Sequence, residues 1–196
     1  MSIRPNCQSL PLASASSHED EEGRPAMTDT RTLTGERADL VQSLDRHRFF
    51  LRFTVRDLTD EQAATRTTAS ELCLSGLIKH VSGTEASWVR FIEGGAEAMQ
   101  SEWSPDAWTR QWHLQSGETL AGVLADYEEV ARHTDELVAT LPDLDAAHPL
   151  PQAPWFEPGA TWSARRALLH IIAETAQHAG HADIIRESLD GAKSMG

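Results

Sequence analysis

From Thr34 onward, apolar residues return every three or four positions, the interval that lines one face of an α-helix. Leu40, Leu44, Leu51, Val55 and Leu58 form the first such line, with His47 falling along it. Leu58-Thr59-Asp60-Glu61-Gln62 reads as a capped turn, and residues 65–70 read as a loop. A second line, Leu74, Leu77, Ile78, Val81 and Trp88, predicts a helix that begins near Ser70 or Leu72 and is stopped after Glu93 by Gly94-Gly95. His80 and Thr84 lie beside its apolar face. Residues 96–115 concentrate Trp103, Trp108 and Trp112 around Pro105 with little periodicity, which predicts an ordered loop packed through its indoles. Ser116 is the expected N-cap of a third helix lined by Leu120, Val123, Leu124, Tyr127, Val130, Leu137 and Leu141 and ended by Pro142. Pro149, Pro151, Pro154 and Pro158, with Trp155 and Phe156, predict a stiff surface crossing. The fourth helix should start about Ser163, capped from Thr161 or Ser163, and reach Leu189, with Asp190-Gly191 as its stop. Four long amphipathic segments and no convincing strand predict an all-α four-helix bundle.

Composition changes this picture at one end only. Residues 1–30 are rich in Ser, Pro and Gly and carry the acidic run Glu19-Asp20-Glu21-Glu22, too little apolar mass to offset the entropy of ordering. They are read as a disordered leader, with Met27 as an alternative first residue, ahead of one domain over 31–192. The chain of 196 residues has a formal charge of -13, which repels phosphate backbones and argues against nucleic-acid binding. Cys7 and Cys73 form no CxxC pair, so neither a thiolate zinc knuckle nor a disulfide scaffold fits. With no apolar run approaching the roughly 18 residues of a membrane helix and no signal pattern, the expectation is a cytoplasmic protein without a membrane partner.

The candidate chemistry lies on the fourth helix. His170, Glu174, His178 and His181 fall within a roughly 80° arc at helical spacing. Ala167, Ile171, Ile185 and Leu189 lie on or beside that arc, so it is expected to point into the bundle. A carboxylate buried beside imidazoles is costly unless neutralised, and a divalent cation neutralises it directly. Glu174 and His178, four apart, can both reach one ion, and His80 on the second helix is the expected third ligand. Two nitrogens and one oxygen with an open position match catalytic zinc first, and also suit nickel or ferrous iron. The competing explanation is a set of hydrogen-bonded core histidines. His181 is expected to complete the coordination, orient a ligand or touch substrate, and His170 to pack or to bond Glu174. Cys73 reads as packing rather than as a nucleophile. HExxH, a pair of Glu-x-x-His motifs, GxSxG, the P-loop and GxGxxG are all missing.

Leu33-Thr34-Gly35-Glu36-Arg37, Leu58-Thr59-Asp60-Glu61-Gln62, Gly76-Leu77-Ile78-Lys79-His80 with Glu85 and Trp88, and above all the run from Glu174 to Glu187 resemble the DinB-like superfamily. The resemblance is closest to the mini-circle protein branch and is similar to mycothiol-dependent S-transferases and maleylpyruvate isomerases. It covers about residues 31–192 and implies an up-down-down-up bundle, often dimeric, with a metal at one mouth. The family's helix-two histidine then falls on His80, and its helix-four pair on Glu174 and His178. Many relatives have histidine where this chain has Glu174, and commonly Gln or Asp where it has His181. The open three-ligand site together with the resemblance implies a divalent-metal-dependent thiol S-transferase using mycothiol against an electrophilic small molecule, with His181 as the catalytic residue that orients the thiol or carries a proton. The alternative is a bundle that binds a metal or small ligand without turnover.

Overall fold

A computed structural model of the chain describes residues 33–100 and 104–194. The leader expected over 1–30 lies outside these residues, as does Trp103. In chain order the elements are α1 (Gly35–Phe53), α2 (Asp60–Ala64), α3 (Leu74–Gln100), α4 (Pro105–Arg110), α5 (Leu120–Thr140), β1 (Ala147–Pro149), β2 (Thr161–Ser163) and α6 (Ala164–Asp190). The four long helices pack in a ring, α1 against α6, α6 against α3, α3 against α5 and α5 against α1.

Two apolar clusters give the helix directions. One gathers Leu51 from the end of α1 and Val55 just beyond it, Leu74, Leu77 and Ile78 from the start of α3, Leu120 and Val123 from the start of α5, and Ala182 and Ile185 from the end of α6. The other gathers Leu40 and Leu44, Phe91 and Ile92, Val138, and Ala167 and Leu168 from the opposite ends of the same helices. Thus α1 and α6 run one way and α3 and α5 the other, the up-down-down-up order. Between the clusters lies a polar layer. The buried Arg48 pairs with Glu85 and donates to Asp135 Oδ1 at 2.9 Å, while Thr134 Oγ1 donates to Glu85 Oε1 at 2.6 Å.

Several element boundaries depart from the sequence reading. The turn at 58–62 is a short helix with a complete capping box between Thr59 and Gln62. The second long helix does break at Gly95, which takes φ 74° and ψ -163°, a conformation glycine accepts readily, but a further helical stretch follows to Gln100 where a loop was expected. The tryptophan-rich stretch contains α4, started by Ser104, whose side chain accepts from the Ala107 amide. The third long helix is capped by Thr119 rather than Ser116. A two-stranded antiparallel ribbon, with His148 opposite Trp162, sits inside the proline-rich crossing where no strand was expected. On α1 the inward line passes through Arg48 rather than the half-buried His47. No helix among the described residues is long and apolar enough to cross a membrane.

Candidate functional site

The fourth-helix face was expected to point into the bundle, and the structure corrects this by one residue. The buried seam of α6 is Ile171, Thr175, Ala179 and Ala182, while His170, Glu174, His178 and His181 are half-buried one position away. One residue is a turn of about 100°, so Glu174 and His178 stand on the flank of α6 that borders α3, between packed core and solvent. His80 reaches the same place from α3, which runs antiparallel beside α6, and it is 7% exposed. Ligand atoms of His80, Glu174 and His178 all lie within 4.8 Å of one another. The His80 and His178 rings meet edge to face with centroids 4.9 Å apart.

Each of the three has a further partner. Glu174 Oε2 is 3.6 Å from His178 Nε2, and its Oε1 is 3.8 Å from His170 Nε2. His178 Nδ1 lies 3.3 Å from Nδ1 of His181. His181 is therefore beside a member of the triad and outside the triad itself. His170 is enclosed by indoles, its ring 4.9 Å from Trp88 and 5.2 Å from Trp162. On the other side, His80 stacks on Trp112 at 3.9 Å, and its Nδ1 is 3.0 Å from Gln111 Oε1. Sequence reasoning did not identify Gln111; its only signal was its position between Trp108 and Trp112 in an aromatic-rich segment.

Electrostatics sets the protonation of these groups. Burial holds His80 below the ordinary imidazole range, a desolvation partly offset by its bond with Gln111. His170 is lowered for the same first reason. The hydrogen bond with His178 lowers the Glu174 carboxyl, against the opposing effect of burial. When its imidazoles are unprotonated, the set of His80, Glu174 and His178 carries about one negative charge and presents lone pairs from two helices to one point. This donor set fits a borderline divalent cation, whose nitrogen and oxygen ligands bind at about 2.0–2.2 Å.

The remaining candidates lie elsewhere. Cys73 is free and buried, with Sγ 3.7 Å from the Trp112 carbonyl, in keeping with the packing expected for it. His47 is not brought to the triad, and His133 pairs with Glu93 at 3.0 Å on the far side of α3. A family model described as Mycothiol-S-transferase matches residues 39–191, which takes in α1 beyond its first turn, the other three long helices and the whole triad. A comparison with curated proteins gives no match.

Proposed function

The chain belongs to the mycothiol S-transferase family, and from this we propose that it is a divalent-metal-dependent transferase joining the thiol mycothiol to an electrophilic small molecule. His80, Glu174 and His178 are the residues that would hold the ion, with zinc the first choice for this nitrogen and oxygen set. A divalent cation at such a site supplies Lewis acidity that keeps a thiol sulfur in its nucleophilic thiolate form near neutral pH. Glu174 contributes the one negative charge among the three donors and so tempers that acidity. The neutral state of His80 leaves it ready to donate a lone pair without first losing a proton. Trp112 and the packed seam of α6 exclude water from the inner side of the triad, while the half-buried flank of Glu174 and His178 leaves the outer side open to a small molecule. His181 is the proton carrier in this reading: of the two facing Nδ1 atoms, one bears hydrogen and the other accepts it. A cytoplasmic homodimer completes the reading, with sedimentation velocity as its test.

The observation that carries the proposal is the convergence of His80 from one helix on Glu174 and His178 from another within 4.8 Å. Glu174→Ala should lose stoichiometric metal in elemental analysis of protein purified without a histidine tag; full retention rejects the assignment. Wild-type holo-protein given mycothiol and a panel of electrophiles should form conjugates above the uncatalysed rate. Metal-dependent stability without any conjugate would instead mark a binding protein.

A further inference from the structure

A neutral histidine can donate a lone pair to a metal only from the ring nitrogen that lacks a hydrogen, and the partner of the other nitrogen decides which one that is. For His80 the partner is Gln111, whose Oε1 lies 3.0 Å from Nδ1. The other end of the same amide is also engaged: Gln111 Nε2 donates to the backbone carbonyl of Trp108 at 3.0 Å. A carbonyl oxygen only accepts, so turning the amide round would set two acceptors against each other at Trp108. The Trp108 carbonyl therefore fixes Oε1 toward His80. Since Oε1 also only accepts, the hydrogen of neutral His80 must sit on Nδ1. Free neutral histidine favours hydrogen on Nε2, so the contact reverses the intrinsic preference and leaves the Nε2 lone pair available.

The segment bearing Gln111 is itself held firmly. Gln111 caps α4 through its own amide, which bonds the Ala107 carbonyl at 3.1 Å. The next residue, Trp112, lies over His80 with only 20° between the ring planes. Its carbonyl presses on Gly76, one helical turn before His80, where an added Cβ would come within 1.9 Å of the Trp112 oxygen. Glycine at 76 is thus what lets the connection from α4 to α5 settle onto α3.

We propose that Gln111, braced by the Trp108 carbonyl and by Trp112 seated on Gly76, is a positioning residue that presets His80 in the Nδ1–H tautomer and so readies Nε2 as its metal-donating atom. The consequence for metal affinity rests on the function proposed above, whereas the tautomer itself does not. Partners of this kind behind a metal-binding histidine are worth about 10- to 100-fold in affinity.

The test begins with metal-free protein, in which long-range nitrogen–proton correlation spectra report the tautomer of His80, assigned against His80→Asn. Wild type should show hydrogen on Nδ1. Gln111→Leu should shift His80 toward the Nε2–H form and raise the Kd for cobalt(II) or zinc about 10- to 100-fold, with little change in the unfolding midpoint of the metal-free protein. Gln111→Glu keeps an acceptor for Nδ1–H but loses the N–H that binds the Trp108 carbonyl, so neutral His80 should keep the wild-type tautomer while metal affinity falls less than in Gln111→Leu. Gly76→Ala should weaken metal binding without altering any member of the triad, because it lifts Trp112 and Gln111 from their seat. Hydrogen on Nε2 in wild type, or an unchanged tautomer and affinity in Gln111→Leu, would overturn the inference. A wild-type protein with the Nδ1–H tautomer that takes up no divalent ion would support the preset histidine while refuting the metal reading.

Discussion

Arg48 and Glu85 face each other at the middle of the bundle with almost no exposure, between two apolar clusters that offer them no solvent. Burial works against the Arg48 charge, but the attraction of Glu85 and then Asp135 outweighs it and holds the guanidinium more firmly ionised than an ordinary arginine. The geometry is well satisfied: Glu85 receives Arg48 through both oxygens and Thr134 through one. Such a pair contributes little over apolar residues of equal volume, yet breaking it strands a buried charge, at a cost of about 3–5 kcal/mol. Arg48→Met and Glu85→Leu should each lower stability in urea by about that amount, and the double variant should lose far less than the sum. Additive losses would show that the two charges are not coupled. The level of this layer also bears on the site. Glu85 lies five residues after His80 on α3, so the ion pair is anchored on the helix that carries one member of the triad.

At the level of elements, α6 matters most, because it supplies two of the three donors and its ends set their height against His80. Ser163 accepts from the Arg166 amide at 3.2 Å, and Gly191 closes the other end with φ +80°. Ser163→Ala should cost about 1 kcal/mol, and Gly191→Ala about 1–2 kcal/mol through the left-handed backbone, both measurable as shifts in the urea midpoint. An unchanged midpoint in either variant would mean that the helix end is frayed. These ends were legible in the sequence because a cap is a local device, readable from a few adjacent residues. The four long helices were legible for a similar reason, since each repeats its apolar line over many turns. The meeting of His80 with Glu174 and His178 came from the resemblance and from the spacing on α6, and the geometry bears out their closeness. What escaped the sequence depends on docking. Ser116 makes a plausible cap on paper, but Gly117 turns the chain with φ +87° and the Gln115 amide bonds the Glu118 side chain, which delays the helix to Thr119. Gln111 meets His80 across 31 positions through a loop with no period, and no local pattern announces such a contact. The inward direction of the histidine face failed by one residue because alanines 179 and 182 take the buried seam, and small side chains weigh lightly in a hydrophobic stripe.

For the molecule as a whole, the site links folding to both protons and metal. His80 and His170 have folded pKa values below 6.5 because of burial, and Glu174 lies below 4.5 because of its bond with His178. Well above pH 6.5 the two histidines are neutral in folded and unfolded chains alike and contribute no slope. As pH falls below 6.5, the unfolded chain takes up protons that these buried rings refuse, so stability declines toward their folded pKa values. The Glu174 contribution has the same sign at lower pH, being present above 4.5 and lost as pH falls through its depressed value. The chain's formal charge of -13 comes from carboxylates that stay largely ionised above about pH 5, so relief of acidic repulsion barely enters the range from 7.5 to 5.5. The urea midpoint of metal-free protein should therefore fall across that range, and the fall should be shallower in His170→Asn; a midpoint that rises on acidification would contradict the assigned shifts. Adding zinc at about 100 times its Kd should raise stability by about 2.7 kcal/mol at pH 7.5. Because His80 resists protonation, most of that gain should persist at pH 6.5 and fade at lower pH as protons compete for the imidazoles. Glu174→Ala should abolish the zinc increment while leaving the histidine-driven decline in place, which separates the contribution of the ion from that of the buried rings.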